Sequence, residues 1–494
     1  MKAINLVMMA GVSIFSSACA ANKPPNIMVF LVDDMGLMDT SLPFLPGKSG
    51  RPEKLPLNSF YKTPAMERLA NQGVRFGRFY ANSVCSPTRA TIMTGQSSAR
   101  HHTTQWIDPV KKNVGPKEWN WAGLKKTDIT LPQQLKKAGY HTIHCGKAHF
   151  GPNNHEGSNP LNIGFDVNIG GKSIGRPASY YGEKNYGEGN MRQVPGLDKY
   201  HGTSTFLTEA LTLEAKEAVT KAVKQKQPFY LYMSHYALHG PFNSDPRFAD
   251  HYKASGKSKQ MQAFATLVEG MDKSLNDLMN HFEKLGVAED TLIIFLGDNG
   301  SDAPFGGKPT ATRSSAPIKG KKGTCYEGGM RVPFIAAWAK TDPNAEVQKK
   351  FPITQGYISP EKFGSTEDIF PTVLKVAGLT PPKGYKVDGS PLLDFFENHN
   401  GKKPQHFLMH FPHPHNSSHF TTYIDGSWKV IYNYKAKGLK YELYDLANDP
   451  YESKDLAKER PEMAKTMLKK MIAALNDSDA QYFKEKGKEL RPQL

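Results

Sequence analysis

Cysteine is the rarest residue in this chain, and its scarcity limits the chemistry available to the fold. The chain contains 494 residues, and its four cysteines are Cys19, Cys85, Cys145 and Cys325. Cys19 falls in a segment that is predicted below to be removed, which leaves three thiols in the mature chain. In an oxidising compartment an odd number of thiols cannot pair completely. At least one of them therefore stays unpaired or is modified.

Long hydrophobic runs are also missing. The one sustained apolar run extends from Ile4 to Phe15, after Lys2 and before a group of small residues. It is shorter than the roughly 20 residues of a transmembrane helix, and its layout is that of a secretory signal. We therefore predict no transmembrane segment, a signal peptide over residues 1–20, and an exported protein.

The end of the predicted signal fits two processing routes. Ala18-Cys19-Ala20 offers a small-residue cleavage site, whereas Cys19 after Ser-Ser-Ala also resembles the acceptor cysteine of a bacterial lipoprotein. The first route gives soluble export and the second gives a lipid anchor. Both place the protein in the periplasm or at the cell surface of a bacterium.

Acidic residues are outnumbered by basic ones. The chain has 47 Asp and Glu against 63 Lys and Arg, a formal net charge of +16. A basic exported protein attracts polyanions. The lysines are scattered and no nucleic-acid module is recognisable, which argues against a nucleic-acid partner. A sulfated or acidic polysaccharide fits the predicted compartment, and plain solubility is the alternative explanation of the charge.

The chain also lacks internal repeats, and instead apolar strands alternate with helices. Strands are predicted at 26–32, 74–80, 140–145, 229–233, 291–296 and 334–338, and helices at 63–73, 129–139, 204–224, 257–284 and 366–377. Sustained alternation predicts a large α/β sandwich with a sheet between helices. The Gly-, Asn- and Tyr-rich stretch 151–202 has little periodicity and is predicted to be a long loop on the ligand face.

A second region begins after a Pro- and Gly-rich stretch at 378–389. Strands predicted at 421–424 and 428–432 flank Asp425-Gly426, a hairpin signal, and a strand at 441–446 and a helix at 461–475 follow. We predict a large α/β domain over residues 22–380 and a smaller α+β subdomain with an antiparallel sheet over residues 381–494.

The stretch from Cys85 to Gly95 predicts a helix whose start suits an anion. Pro87 fits the first turn and Gly95 fits the stop. Cys85 would lie at the helix entrance, where free backbone N–H groups favour negative charge. Arg89 would lie one turn further in and could offer a planar fork to the same oxyanion. A buried cysteine beside a solvated arginine is the alternative.

Polar side chains follow four of the predicted strands: Asp33 and Asp34, Lys147 and His149, His239, and Asp298 and Asn299. Open α/β sheets bind ligands at the carboxyl ends of their strands. Carboxylate and amide oxygens suit a hard divalent cation, Ca²⁺ or Mg²⁺, better than zinc. Taken singly, each group could be a turn, a helix cap or a solvated loop residue; their recurrence at one sheet edge favours a site.

Together these stretches resemble the type I sulfatases of the alkaline phosphatase superfamily. The segment from Cys85 to Arg89 matches the family's C-x-P-x-R signature, with Met93 where leucine is usual before Thr94-Gly95. Gly146 to Gly151 resembles the second signature, with Ala148 in place of a frequent tryptophan and Phe150 in place of a frequent leucine, and Lys322 to Gly329 resembles a third. The likeness runs from about residue 25 to residue 446. It implies an alkaline phosphatase-like sandwich and a sulfatase, in particular a bacterial enzyme acting on glycans.

The resemblance also implies how the nucleophile is made. Cys85 would be converted by a formylglycine-generating maturation enzyme to formylglycine, whose hydrate attacks the sulfur of a sulfate ester. Modified Cys85 would join Asp33, Asp34, Asp298 and Asn299 around the metal. Arg89 would steady the nucleophile. A hydrate has a second hydroxyl with which to expel sulfate, whereas a thiol would form an ester that is hard to resolve.

The family pattern implies roles for four further side chains. Lys147 and Lys322 would bind sulfate oxygens and the leaving-group oxygen, His239 would be the general acid toward the sugar oxygen, and His149 would assist the hydrate or its breakdown. For His235 and Cys325 we predict structural or supporting roles. The division of proton transfers between the histidines and lysines stays open.

Substrate contacts are predicted from position alone. His101, His102 and Trp106 follow the signature helix, and His413 and His415 belong to a histidine-rich stretch, 410–416, that is predicted to be a loop of the small domain. A solvated or metal-scavenging loop is the alternative for that stretch. Two other functions are kept: a phosphatase or phosphonate-ester hydrolase of the same superfamily, and a non-catalytic polyanion-binding protein.

Overall fold

The segments predicted as buried strands pair into one large mixed sheet. A computed structural model of the chain describes residues 24–47, 51–109, 119, 121–305, 315–397 and 406–494. The sheet contains β1 (Asn26–Val32), β2 (Gly73–Tyr80), β3 (His141–Gly146), β4 (Val167–Ile169), β5 (Phe229–His235), β6 (Thr291–Gly297), β7 (Phe334–Trp338) and β8 (Tyr357–Ser365). The predicted signal peptide, residues 1–20, lies outside the described residues.

The strand order places β1 in the interior of the sheet. The order is β4-β3-β5-β1-β6-β7-β2-β8, and β7 alone among these strands runs antiparallel to its neighbours. The strands β3, β5, β1 and β6 are mutually parallel, so their carboxyl ends meet at one edge. This edge is where α/β sheets bind ligands.

Helices cover both faces of the sheet. They are α1 (Pro56–Phe60), α2 (Pro64–Gln72), α3 (Cys85–Thr94), α4 (Ser98–His101), α5 (Leu131–Lys137), α6 (Leu207–Lys224), α7 (Lys259–Lys284), α8 (Glu327–Met330), α9 (Glu346–Lys350), α10 (Ile369–Val376), α11 (Leu393–Phe396) and α12 (Pro461–Asp477). Within the described ranges no helix is long and apolar enough to cross a membrane.

Alternate residues of β1 supply the two halves of the core. Met28 and Phe30 pack with α6 and α7 on one face, whereas Val29 and Leu31 pack with α5 and α10 on the other. Side chains alternate between the two faces of a strand, so a strand that is apolar throughout is one that is covered on both sides. This confirms the predicted sheet between helices.

A second, antiparallel sheet follows the large domain. It contains β9 (His406–Pro414), β10 (Ser418–Asp425), β11 (Trp428–Asn433) and β12 (Tyr441–Asp445), in the order β12-β11-β10-β9. A hairpin of β13 (Lys484–Glu485) and β14 (Lys488–Glu489) comes last. Val430 and Leu443 pack against α12 on one face, and Ile431 and Tyr444 face the large domain. The predicted C-terminal antiparallel sheet with a closing helix is confirmed.

The prediction of a loop over residues 410–416 was wrong. Most of this stretch belongs to β9, which forms the edge of the small sheet and has a register shift opposite Ser418 to Phe420. The strand was not predicted because Pro412 cannot donate a ladder hydrogen bond, so a proline argues against a strand. An edge strand with a bulge tolerates that loss. The predicted loop 151–202 likewise contains the short strand β4 and several 3-10 turns.

Asp272 of α7 ties that helix to the start of α2. The Ala65 N–H donates to its Oδ2 and the Met66 N–H to its Oδ1, both at 2.8 Å, and the side chain is 2% exposed. The first N–H groups of a helix have no partner within the helix, so this carboxylate supplies one from another element.

We expect Asp272→Asn to destabilise the protein by about 2 kcal/mol, because one backbone N–H would face an amide NH₂ instead of an oxygen. Asp277→Asn is the matched control. Asp277 lies on the same helix, is partly exposed and pairs with Lys273; its loss is expected to cost less than about 0.5 kcal/mol. Urea unfolding of both variants measures the difference, and equal shifts in the midpoint would show that Asp272 does not stabilise the start of α2.

Candidate active site

The strand ends bring the predicted acidic residues together. Asp33 and Asp34 directly follow β1, and Asp298 and Asn299 follow its neighbour β6. All four side chains are buried, with at most 1% of the surface of each residue exposed. The Asp34 N–H donates to Asp298 Oδ1 at 2.9 Å, and this bond joins the two strand ends. The edge predicted from the sequence is therefore a single cluster.

The cluster has the donors of a cation site. Ligand oxygens of Asp33, Asp34 and Asp298 lie within 4.8 Å of one another. Asp33 Oδ1, Asp34 Oδ2 and Asn299 Oδ1 are buried and accept no hydrogen bond from the described residues. A buried oxygen without a hydrogen-bond partner is costly unless a cation contacts it. These residues fit a hard divalent cation of the calcium or magnesium type.

Three basic side chains surround the acidic cluster. Arg89 donates from Nε and Nη2 to Asp298 Oδ2 at 3.0 and 2.8 Å, and Lys147 Nζ lies 2.7 Å from Asp33 Oδ2. Lys322 Nζ lies 2.6 Å from Asp34 Oδ1. Burial opposes the charged form of Arg89, but Asp298 outweighs it and raises the pKa of Arg89 above its ordinary value.

The same balance holds at Lys322 and Asp34. Burial disfavours both charges, yet their mutual attraction raises the pKa of Lys322 and lowers the pKa of Asp34. At Asp33 burial prevails over Lys147 and raises the pKa of the carboxyl. The ion pairs of Arg89 with Asp298 and of Lys322 with Asp34 therefore fix these charges in position before any ligand arrives.

Cys85 is the first residue of α3, as the sequence predicts, and the helix ends at Gly95 in the left-handed conformation, with φ 70°. Its Sγ lies 3.3 Å from Nδ1 of His149. Burial raises the pKa of the Cys85 thiol, although Lys147 and Lys322 oppose the shift. A thiol held neutral is a weak nucleophile, so this cysteine lacks the environment of a reactive thiolate.

The tautomer of His149 follows from its contacts. Its Nε2 lies 2.6 Å from the Ile107 carbonyl, which can only accept, so Nε2 carries the proton. Burial, reinforced by Lys147, lowers the pKa of His149 well below its ordinary value, and the ring is neutral. Nδ1 therefore presents a lone pair to the side chain at position 85. His149 is placed to accept a proton there.

His239 approaches the cluster from the loop after β5. Its Nδ1 donates to the Gly240 carbonyl at 3.0 Å, and its Nε2 lies 3.6 Å from Asp34 Oδ2. Burial and Lys322 lower the pKa of His239 to about 3 in the absence of a ligand. Nε2 is therefore the ring atom that can exchange a proton with a group at the cluster.

A pocket of about 470 Å³ opens above these residues. Cys85, His149, His239 and Lys322 line it, together with Trp106, Ile107, Asp108, Pro109, Gly175, Arg176, Arg192, Asp302, Lys321, His415 and Asn416. Lys321 pairs with Asp302 at 2.5 Å. Of the five residues predicted as substrate contacts, the pocket contains Trp106 and His415.

The other three predicted contacts lie elsewhere, which corrects the expectation. His101 bonds Thr91 Oγ1 at 3.0 Å and lines a separate cavity beside Tyr385. His102 Nε2 lies 2.9 Å from the Asp479 carbonyl, and His413 is buried against Thr104 Oγ1 at 2.7 Å. His102 and His413 thus connect the α3–α4 region and the segment after it to the C-terminal part. Nearness in sequence to the signature helix did not distinguish the two faces of that region.

His235 and Cys325 have the surroundings expected of structural residues. His235 Nε2 lies 2.9 Å from Ser274 Oγ in the core, and burial lowers its pKa to about 3. Cys325 is buried with its Sγ 3.7 Å from Ser417 Oγ. Neither residue lines the pocket.

Arg176, Arg192, Lys321 and Asn416 line the pocket but were not predicted. The two arginines come from the stretch 151–202, which was expected to face the ligand, but no motif singles them out. Asn416 Nδ2 donates to the Lys322 carbonyl at 2.7 Å, and the Ser417 N–H donates to the Gly323 carbonyl at 2.9 Å. The turn between β9 and β10 thus holds the Lys322 segment, a contact between regions about 90 residues apart in sequence.

Comparison with known proteins agrees with this geometry. A family model described as Sulfatase matches residues 25–379, and one described as N-sulphoglucosamine sulphohydrolase, C-terminal, matches residues 321–481. N-acetylgalactosamine-6-sulfatase of Homo sapiens is 31% identical over 396 residues, which cover 76% of this chain and 66% of the human protein. A protein named Sulfatase from Formosa agariphila is 26% identical over 509 residues, covering 89% of this chain and 86% of its own length.

A solved structure extends the likeness to the fold. The structure titled Ps i-CgsB in complex with k-i-k-neocarrahexaose superposes with a TM-score of 0.72 at 24% identity, covering 94% of this chain and 96% of that chain. The fold is that of the alkaline phosphatase-like enzymes, and the class is that of the sulfuric ester hydrolases. Within that class the chain belongs to the sulfatase family, and the resemblance seen in its signature motifs is confirmed.

Proposed function

We propose that this protein removes sulfate from a sulfated carbohydrate, with Cys85 converted to formylglycine by a maturation enzyme and with Ca²⁺, or alternatively Mg²⁺, at the acidic cluster. The observation that carries the proposal is the convergence of Cys85, His149 and three fixed cations on one buried acidic cluster. The raised pKa of the unmodified thiol supports the need for modification.

Asp33, Asp34, Asp298 and Asn299 would hold the cation, together with the modified side chain at position 85. When bound, the cation would withdraw charge from the sulfate oxygens and the nucleophile. The three oxygens without hydrogen-bond partners support this assignment. Arg89 would hold Asp298 in place at the cluster, through its two bonds to Oδ2.

The remaining side chains would bind sulfate and move protons. Lys147 and Lys322, already fixed by Asp33 and Asp34, would donate to sulfate oxygens and to the bridging oxygen. Nδ1 of His149 would accept a proton from the group at position 85. As the S–O bond to the sugar breaks, the leaving oxygen needs a proton. Nε2 of His239 would deliver it after taking up a proton from solvent, because the negative charge of a bound sulfate would raise the pKa of His239 and offset the effect of Lys322.

One hydroxyl of the formylglycine hydrate would form the new bond to sulfur as the bond to the sugar oxygen breaks. The second hydroxyl would then lose its proton and re-form the aldehyde as the C–O bond to the sulfated oxygen breaks and sulfate leaves, and water would rehydrate the aldehyde.

The substrate class rests on separate support. The matched relatives include an N-acetylgalactosamine-6-sulfatase, and the structural neighbour was solved with a neocarrahexaose. The net charge of +16 favours an anionic polymer. Export to a bacterial periplasm or cell surface, by way of the signal at residues 1–20, would bring the protein to such polymers.

The test compares an aryl sulfate with the corresponding aryl phosphate. We expect kcat/KM to be at least tenfold higher for the sulfate, equivalent to about 1.4 kcal/mol of transition-state discrimination. Protein co-produced with a formylglycine-generating enzyme is used, and protein made without it serves as the control. A preference for phosphate would favour the phosphatase or phosphonate-ester alternative; binding of sulfated polysaccharide without turnover of either ester would favour a polyanion-binding protein.

A further inference from the structure

Two arginines in the pocket have no part in the proposed reaction. Arg176 and Arg192 line the same pocket as Cys85 and His149. Both come from the irregular stretch between β4 and α6. They add two positive charges to a pocket that Lys321 and Lys322 also line.

The backbone fixes the two arginines relative to the nucleophile. The Ala178 N–H donates to the Arg192 carbonyl at 2.9 Å, so the segments that carry the two arginines are hydrogen-bonded to each other. Gly175 packs against the ring of His149 so closely that a Cβ there would lie 2.7 Å from Cε1. Arg176 therefore leaves the backbone beside the ring that contacts Cys85. The spacing between the arginines and the reacting group is built into the fold.

In the part of the chain that the structure describes, the two arginines differ from Lys321 and Lys322 in having no acidic partner. Lys322 pairs with Asp34, and Lys321 pairs with Asp302. Among the described residues neither Arg176 nor Arg192 forms an ion pair. Burial together with the charge of Arg192 lowers the pKa of Arg176, which shows that the two guanidinium groups repel each other. An anion between or beside them would relieve that repulsion.

We propose that Arg176 and Arg192 form a subsite for a second oxyanion, a sulfate or a carboxylate, on the same glycan that carries the scissile sulfate. The inference rests on the proposed function and narrows its substrate to glycans with two anionic groups near each other. Guanidinium groups suit this role because their planar forks match two oxygens of a sulfate or a carboxylate. The arrangement selects against singly charged esters, since these leave the two arginines unneutralised.

The experiment measures substrate preference rather than activity alone. For each enzyme, kcat/KM is determined with an aryl sulfate, a monosulfated monosaccharide, a disaccharide with two sulfates, and a monosulfated disaccharide with a uronic acid. Arg176→Gln, Arg192→Gln and the double variant are compared with the wild type. Arg460→Gln is the matched control, because Arg460 is exposed, lies at the start of α12 and loses the same single charge.

We expect the wild type to show a higher kcat/KM for a doubly charged disaccharide than for the singly charged esters. In each arginine variant the ratio of these two kcat/KM values is expected to fall roughly tenfold. Arg460→Gln is expected to keep the wild-type ratio. Added salt should reduce the preference of the wild type and leave the ratio of the double variant unchanged, because the subsite opens to solvent. If the arginine variants lose the preference for the disulfated disaccharide but keep the preference for the uronic acid compound, the second group is a sulfate. If they lose only the preference for the uronic acid compound, the second group is a carboxylate.

Two outcomes would overturn the inference. A wild type that turns over all four sulfate esters with equal kcat/KM has no second subsite, and arginine variants that keep the wild-type ratio place the subsite elsewhere. In both cases the proposed sulfatase function stands, because sulfate esters are hydrolysed. If the matured wild type hydrolyses none of the four esters, the proposed function is wrong and this inference falls with it.

Discussion

Replacing Cys85 with alanine is expected to lower kcat for sulfate esters by about 10⁴-fold or more, the range seen when a covalent nucleophile is removed. The variant keeps the other charges of the site, since Arg89, Lys147 and Lys322 are held by Asp298, Asp33 and Asp34. Substrate binding should therefore fall far less than turnover. Steady-state kinetics, with equilibrium binding of a sulfated disaccharide to the variant, separate the two effects.

Cys145→Ala is the control for the loss of a buried thiol. The Cys145 thiol donates to the Leu211 carbonyl at 3.3 Å inside the core and does not line the pocket. Its replacement is expected to cost about 1 kcal/mol of stability while turnover is retained. Mass spectrometry of the peptide that contains Cys85 completes the test: an unmodified thiol in fully active protein would contradict the formylglycine mechanism.

Asp33→Asn is expected to weaken calcium binding by at least about 100-fold, since even residues that only orient ligands contribute 10- to 100-fold. The substitution keeps the size of the side chain but replaces a carboxyl group, which Lys147 and Arg89 both contact, by an amide that cannot carry the negative charge of a metal ligand. Activity should fall with the metal content. Calcium titrations followed by thermal unfolding measure the site without an assay, because a ligand at 100 times its Kd stabilises a protein by about 2.7 kcal/mol.

Asp302→Asn is the matched control for the metal. It removes a carboxylate from the pocket that pairs with Lys321 and is not part of the acidic cluster. Its calcium affinity is expected to stay within about tenfold of the wild type, as for a neighbouring charge. Wild-type calcium affinity in Asp33→Asn, or full activity after exhaustive chelation, would show that the cluster does not hold the catalytic metal.

The acidic cluster could be predicted from the sequence because a buried strand that ends in polar residues has a recognisable pattern. An uninterrupted apolar run followed by Asp33-Asp34, and another followed by Asp298-Asn299, place four polar groups at one edge once the strands are parallel. The pairing of each lysine with its own carboxylate was not predictable, because it depends on side-chain directions in three separate loops.

The parts that sequence reasoning missed lack a local signal. β9 and β8 are edge strands that contain prolines, so neither alternation nor propensity identified them. Arg176 and Arg192 belong to a stretch with no periodicity, and the backbone bond from Ala178 to Arg192, which joins their segments, has no signal in the sequence. His101 and His102 were misassigned because nearness in sequence to the signature helix does not define a face. His413 was misassigned because its stretch was predicted to be a loop and is largely strand β9.

The bonds from Asn416 and Ser417 to the Lys322 segment give the small sheet a part in positioning Lys322, one of the residues proposed to bind the sulfate. Lys429 of that sheet is also buried in contact with Glu327 and Glu452, at 3.0 and 2.7 Å, on the far side of the same segment. A chimaera that joins the large domain of one sulfatase to the small sheet of another would therefore inherit its nucleophile from one parent and the placement of Lys322 from the other. Grafting the turn between β9 and β10 together with residues 321–329 preserves that placement and allows pocket specificity to be exchanged as a unit.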